Sequence, residues 1–97
     1  MTGMFILSLT YVKSNEEADK HMETHMAWVG QGYARGWFLA SGRKVPRTGG
    51  VILALGERAD IEAYVAADPF TAHGIAQYEI AEIALTKVVE GLEALKG

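Results

Sequence analysis

A chain of 97 residues, 49% hydrophobic and 22% charged, has the composition of a globular domain and not of a disordered or membrane protein. A net charge of −3 gives no electrostatic basis for nucleic-acid binding, and the lack of cysteine excludes disulfides, thiolate catalysis and cysteine-ligated metals. The start, MTGMFILSLTYVKS, has no basic segment before its apolar run and no small-residue cleavage site, and no apolar run exceeds VILAL in length. A cytoplasmic protein without a membrane partner is therefore expected. One domain of this size buries a low fraction of its surface, so self-association is expected as well.

MFILSLTYV alternates Phe5, Leu7, Leu9 and Tyr11 against Ile6, Ser8 and Thr10, which predicts a strand whose second face is only partly buried. Ser14 precedes Glu17 at capping-box spacing and opens a helix. Ala18, Met22, Met26, Val29 and Tyr33 form its apolar stripe, and Gly36 stops it. WFLAS is a second strand, with Trp37, Leu39 and Ser41 on one face, and GRKVPRTGG is a basic loop. VILAL, apolar on both faces, is a central strand. Residues 57–67 form a second helix with Ile61, Tyr64 and Val65 inward, ending before Asp68 and Pro69. DPFTAHG is a short turn into the last strand, AQYEIAEIALTKV. There the apolar parity slips near Glu82, which predicts either a β-bulge or an inward-pointing Glu82. VVEGLEALKG closes the chain as a short helix or a frayed tail. The order β-α-β-β-α-β is the ferredoxin-like α+β arrangement, a four-stranded antiparallel sheet with two helices on one face. Its second face also carries apolar residues. A second subunit is expected to cover that face and to enclose a cavity between the two sheets.

His25 falls at the edge of the first helix's apolar stripe and faces the sheet. Its intrinsic proton affinity suits a general base, although a bond from a helix-border imidazole to a backbone carbonyl accounts for it equally. His21 and His25 have the i, i+4 spacing of a metal pair, but a zinc site needs a third ligand and none is evident, so no metal is expected. Asp68 followed by Pro69 is a helix-start signal. Capping needs only one carboxylate oxygen and leaves the other free to accept from an imidazole. Ser41 ends its strand at a glycine without a nucleophile elbow. Arg43, Lys44 and Arg47 cluster in the next loop, either as solvated charge or as attraction for a small anion. His73 reads as a loop residue, and Trp28, Trp37 and Tyr33 as core or interface.

Three stretches, HMAWVGQGYARGWFLASG, TGGVILAL and ADPFTAHGIAQYEI, carry a resemblance to the YciI-related (YCII) family over nearly the whole chain. The resemblance implies one YCII-like domain over residues 1–97 that forms a dimeric α/β barrel. It implies a site built from His25 and Asp68, with Ser41 near the pocket. Arg43 stands where members often carry proline. One branch of the family is linked to dehydrochlorination of a chlorinated hydroquinone, and the fold is shared with muconolactone isomerases and quinol monooxygenases.

The expectation is a cofactor-independent enzyme acting on a small anionic or aromatic molecule by elimination or isomerisation. His25 serves as acid/base, Asp68 orients it, and Ser41 with Arg43 or Arg47 orients the substrate. The alternatives are a non-catalytic small-molecule binding or accessory dimer, and a quinol monooxygenase-like activity.

Overall fold

The period-two pattern of the first strand sorts its side chains onto the two faces of a sheet. In the structure, a computed structural model describing residues 2–96, β1 (Gly3–Tyr11) buries Phe5, Leu7 and Leu9 on one face. Ile6 and Ser8 on the other face are half-buried and Thr10 is exposed. The remaining strands are β2 (Phe38–Arg43), β3 (Gly49–Gly56) and β4 (Ala76–Ile83), in the spatial order β2-β3-β1-β4 with every pairing antiparallel. VILAL is thus central, between β2 and β1.

Ser14 caps the first helix as its spacing predicts, its Oγ accepting from the Glu17 N–H at 3.1 Å. The expected single helix is nevertheless two, α1 (Asn15–Lys20) and α2 (Met22–Ala34), broken at His21. Neither Pro nor Gly marks the break. It leaves the His21 ring stacked on His73, with centroids 4.2 Å apart. Gly36, at φ 79°, ends α2 in a Schellman turn: its N–H reaches the Tyr33 carbonyl and the Trp37 N–H the Gly32 carbonyl. The buried ridge of α2 is His25, Trp28, Val29 and Gly32. Met26 and Tyr33, expected on that stripe, are 53% and 41% exposed. The stripe is displaced because the bulkier Trp28 is clamped to α3 (Arg58–Ala66): its indole donates to the Tyr64 carbonyl and the Tyr64 hydroxyl donates to the Trp28 carbonyl, at 3.0 and 2.6 Å.

β2 corrects a second expectation. A register shift between Phe38 and Ala40 inserts Leu39 as an extra residue, so Phe38 and Ser41 fall on the same, helix-covered face. Phe38 can bury there because Gly32 has no side chain; a Cβ on Gly32 would stand 2.3 Å from its ring. β4 pairs with β1 in unbroken register from Ala76 to its end at Ile83, so of the two expected causes of the parity slip the bulge is excluded and the inward-pointing Glu82 is found. Glu82 lies opposite Phe5 on the helix side, at the rim, where Arg58 reaches it at 2.9 Å.

Two clusters make up the core between helices and sheet. Phe5, Leu7, Ile52 and Ala54 pack with Trp28, Val29, Phe38, Ile61 and Val65. Leu9 packs with Ala18, Phe70, Ile75 and Ala76. Full burial of a side chain such as Leu or Phe contributes about 1.5–3 kcal/mol. The opposite sheet face carries Ile6, Leu53 and Leu55 half-buried. The tail ends in a 3₁₀ turn at Glu93–Lys96, which packs near β1. Among the described residues no helix is long and apolar enough to cross a membrane.

Candidate active site

The chain between α3 and β4 is what places Asp68. α3 ends at Ala66, and one further turn of helix, α4 (Pro69–Ala72), follows at once. Asp68 is its N-cap, with Oδ1 accepting the Phe70 N–H at 2.9 Å and Pro69 in the first turn. Gly74, at φ 66°, then releases the chain into β4. The capping role read from Asp-Pro is therefore what is seen, yet Asp68 is also completely buried. A carboxylate in that position is tolerated only if its oxygens are hydrogen-bonded. Three donors converge on it. Besides the Phe70 N–H, the His25 Nδ1 lies 2.9 Å from Oδ1 and 3.1 Å from Oδ2, and the Tyr78 hydroxyl donates to Oδ2 at 2.5 Å. Every partner gives a proton to the bond, the pattern of an acceptor-only carboxylate.

His25 is held as firmly. It sits in the buried ridge of α2, its ring parallel to that of Phe70 at 4.0 Å, with the Trp28 ring 5.7 Å away. Nδ1 faces Asp68 and so carries the ring proton, which puts the free lone pair on Nε2. Among the described residues no fully buried side-chain nitrogen or oxygen lacks a partner, and Nε2 makes no hydrogen bond there, so Nε2 keeps some accessible surface. His25 lines a cavity of about 500 Å³. The Tyr78 phenol is pushed well above its usual range, first by burial and then by the Asp68 charge, and remains a proton donor at neutral pH.

That cavity lies between α1, α2 and the helix-covered face of the sheet. The expected cavity between the sheets of two subunits is not the space that His25 opens on. The glycine pair of β3, Gly49 and Gly50, forms part of the wall of that space. Gly49 lets β3 pass close to β1, since a Cβ there would strike the Leu9 carbonyl at 1.9 Å, and Gly50 does the same toward β2, where a Cβ would stand 2.9 Å from the Gly42 carbonyl. Leu9, Tyr11 and Ile52 complete the apolar wall.

Ser41, Arg43 and Arg47 all line this cavity. The Ser41 hydroxyl is hydrogen-bonded to that of Tyr33 at 2.8 Å. Arg47 pairs with Asp19 of α1 at 2.6 Å, whereas Lys44 turns to the other side of the sheet and reaches the Thr10 hydroxyl. His21 is engaged with His73, and among the described residues no three His, Cys, Asp or Glu side chains are placed to hold a metal. Two contributors escape a sequence reading. Tyr78 gives its parity with Ala76 and Ile80 as a clue to an inward position, but nothing marks its hydroxyl as a partner of Asp68. Tyr33 reads as core or interface; it is 41% exposed and so not core, and nothing marks its hydroxyl as the partner of Ser41.

Fold and geometry together define a ferredoxin-like α+β protein in which an imidazole, backed by a buried carboxylate, opens on a helix-side cavity. The YCII-related domain matches residues 4–84, and the chain belongs to that family. Among solved structures it is similar to the 5-chloro-2-hydroxyhydroquinone dehydrochlorinase TftG from Burkholderia phenoliruptrix, in complex with 2,5-dihydroxybenzoquinone. That match has a TM-score of 0.62 and 14% identity over 80% of this chain and 90% of the other. It is also similar to SnoaB, a cofactor-independent oxygenase from Streptomyces nogalater, with a TM-score of 0.53 and 13% identity over 92% of this chain and 97% of the other. At these identities the likeness is one of fold. No curated protein matches the chain.

Proposed function

We propose that this chain is a single YCII-like domain, 1–97, acting in the cytoplasm as a homodimeric, cofactor-independent acid/base enzyme on a small anionic or aromatic molecule. One observation carries the reading: His25, which lines a cavity, has its Nδ1 engaged by a buried carboxylate, and Nε2 is left as the reacting nitrogen. A cavity of about 500 Å³ suits a single-ring compound. Nε2 takes a proton from a hydroxyl or an activated C–H, and Asp68 stabilises the imidazolium that forms. On a chlorinated hydroquinone, the proton taken from one hydroxyl is returned by the imidazolium to the chlorine-bearing ring carbon, which gives the keto tautomer. Loss of the second hydroxyl proton then forms a carbonyl and a ring double bond as chloride leaves that carbon, with net loss of HCl. Isomerisation instead returns the proton to another carbon. Ser41 and the guanidinium of Arg43 or Arg47 orient the oxygens of the substrate. TftG, a dehydrochlorinase, supports the elimination form of this chemistry at the level of shared fold.

The second subunit covers the sheet face that bears Ile6, Leu53 and Leu55, away from the cavity, so each protomer holds its own site.

The test is release of chloride from a panel of chlorinated hydroquinones by the wild-type protein, and its loss in His25→Gln. Oxygen uptake in place of chloride release favours a quinol monooxygenase-like activity. Binding without turnover across the panel leaves the accessory-protein reading.

A further inference from the structure

Two guanidinium groups and one carboxylate stand at the same cavity wall. Arg47, from the loop 44–48, reaches across to α1 and pairs with Asp19 at 2.6 Å. Its guanidinium also lies over the Tyr11 ring, 5.6 Å from the centroid. Asp19, Tyr11 and Arg47 all line the cavity with His25. Arg43 lines it too and forms no ion pair among the described residues. The Arg47 side chain is 27% exposed and that of Asp19 60%. The guanidinium is thus seated against the protein, while its carboxylate partner is largely in water.

We propose that Asp19 is a specificity-determining residue: it occupies the anion-binding position of Arg47 in the empty protein and yields it to the carboxylate or phenolate of an entering ligand. The inference rests on the cavity reading above and adds how the anion is admitted. Arg47 is pre-positioned by Tyr11, so it stays when its partner leaves. Asp19 loses little by leaving, because an exposed ion pair is weakly held and its carboxylate returns to water. A ligand anion inside the cavity meets Arg47 and Arg43 together in a less solvated setting, where the attraction is stronger. Neutral ligands gain nothing from the exchange, so Asp19 screens for charge. Hydrogen bonding from Arg47, with Arg43 nearby, holds the Asp19 carboxyl below its usual range, so at neutral pH it is a charged competitor.

The experiment is titration of benzoate and of neutral benzamide, followed by calorimetry and by amide shifts of cavity residues, with four proteins: wild type, Asp19→Asn, Arg47→Gln and the double variant. Removing the competitor is expected to tighten benzoate about two- to fivefold, the scale of an exposed ion pair, and to leave benzamide unchanged. Arg47→Gln weakens benzoate, and in that background Asp19→Asn has no further effect. Benzoate affinity equal in wild type and Asp19→Asn overturns the exchange. So does equal tightening with and without Arg47, which is a field effect only. Either result leaves the acid/base reading intact, since chloride release from neutral chlorinated hydroquinones by wild type and His25→Gln tests it independently. Failure of benzoate to bind either protein, wild type and Asp19→Asn alike, overturns the exchange and the anionic substrate class together.

Discussion

The Asp68 carboxylate serves two elements at once: Oδ1 takes the Phe70 N–H that starts α4 and lies 2.9 Å from His25 Nδ1 on α2. One buried group therefore both shapes a turn and orients an imidazole at the cavity wall. Capping and catalysis are not competing explanations for this residue. The cap fixes the position of the carboxylate, and the fixed carboxylate fixes the ring.

Substitutions at Asp68 should separate these duties. Asp68→Ala leaves three donors without an acceptor, one of them the cap, and is expected to destabilise the fold by about 3–5 kcal/mol. Asp68→Asn keeps an acceptor for the cap and should cost clearly less, about 1–2 kcal/mol. Urea denaturation gives both values, and equal losses would show that the cap and the Tyr78 bond carry no stability.

Tyr78→Phe removes one donor from Asp68 and should cost about 1 kcal/mol near neutral pH. The pH dependence has a defined sign. The folded phenol is raised above its unfolded value of roughly 10. Its contribution is complete below that pH, and above it the native state binds the extra proton, so stability falls as pH rises. Wild type should therefore lose stability more steeply than Tyr78→Phe above about pH 10. Parallel curves in an alkaline denaturation series would contradict the placement of this hydroxyl.

Two glycines of α2 should respond oppositely to alanine. A Cβ at Gly30 meets nothing within 4 Å, so Gly30→Ala should stabilise by about 0.5–1 kcal/mol. At Gly32 the same atom would enter the Phe38 ring, and the forced shift is expected to cost about 1–3 kcal/mol. Thermal melts of the pair test the packing of α2 against β2; two changes of the same sign would refute it.

In sedimentation at micromolar concentration the chain is expected to run as a dimer through the sheet face bearing Leu53. Leu53→Lys should yield a monomer that keeps its cavity. A wild-type monomer under these conditions contradicts the homodimer.

Much of this was legible in the residues, and what was not has physical causes. Periodicity carried β1, the inner face of α3 and the central place of VILAL, because side-chain burial has a fixed repeat in each element. The Asp-Pro pair announced its cap because that geometry is local. The bond from Asp68 to His25 is long-range, so it entered as an implication of the family resemblance. Tyr78 was hidden because a strand tyrosine satisfies the apolar pattern with its ring and shows nothing of its hydroxyl. The bulge at Leu39 was missed since Trp37, Leu39 and Ser41 alternate plausibly on their own; only the void at Gly32 demands that Phe38 turn inward. The slip near Glu82 was visible, and of its two readings the inward-pointing Glu82 is the one found; its cause is a long-range partner that the sequence does not show. The strand simply ends at Ile83, and Glu82 has Arg58 as its reason to face the helices.

The central claim is that His25, oriented by Asp68, works on a molecule in the cavity. Its most direct test is calorimetric titration of 2,5-dihydroxybenzoquinone into wild type, His25→Ala and Asp68→Asn, each first shown to keep the wild-type sedimentation behaviour. Binding to the wild type and at least tenfold weaker binding to both variants, on the scale of a lost charge-assisted contact of about 1.5–3 kcal/mol, is the predicted result. Unchanged affinity in both variants would contradict it.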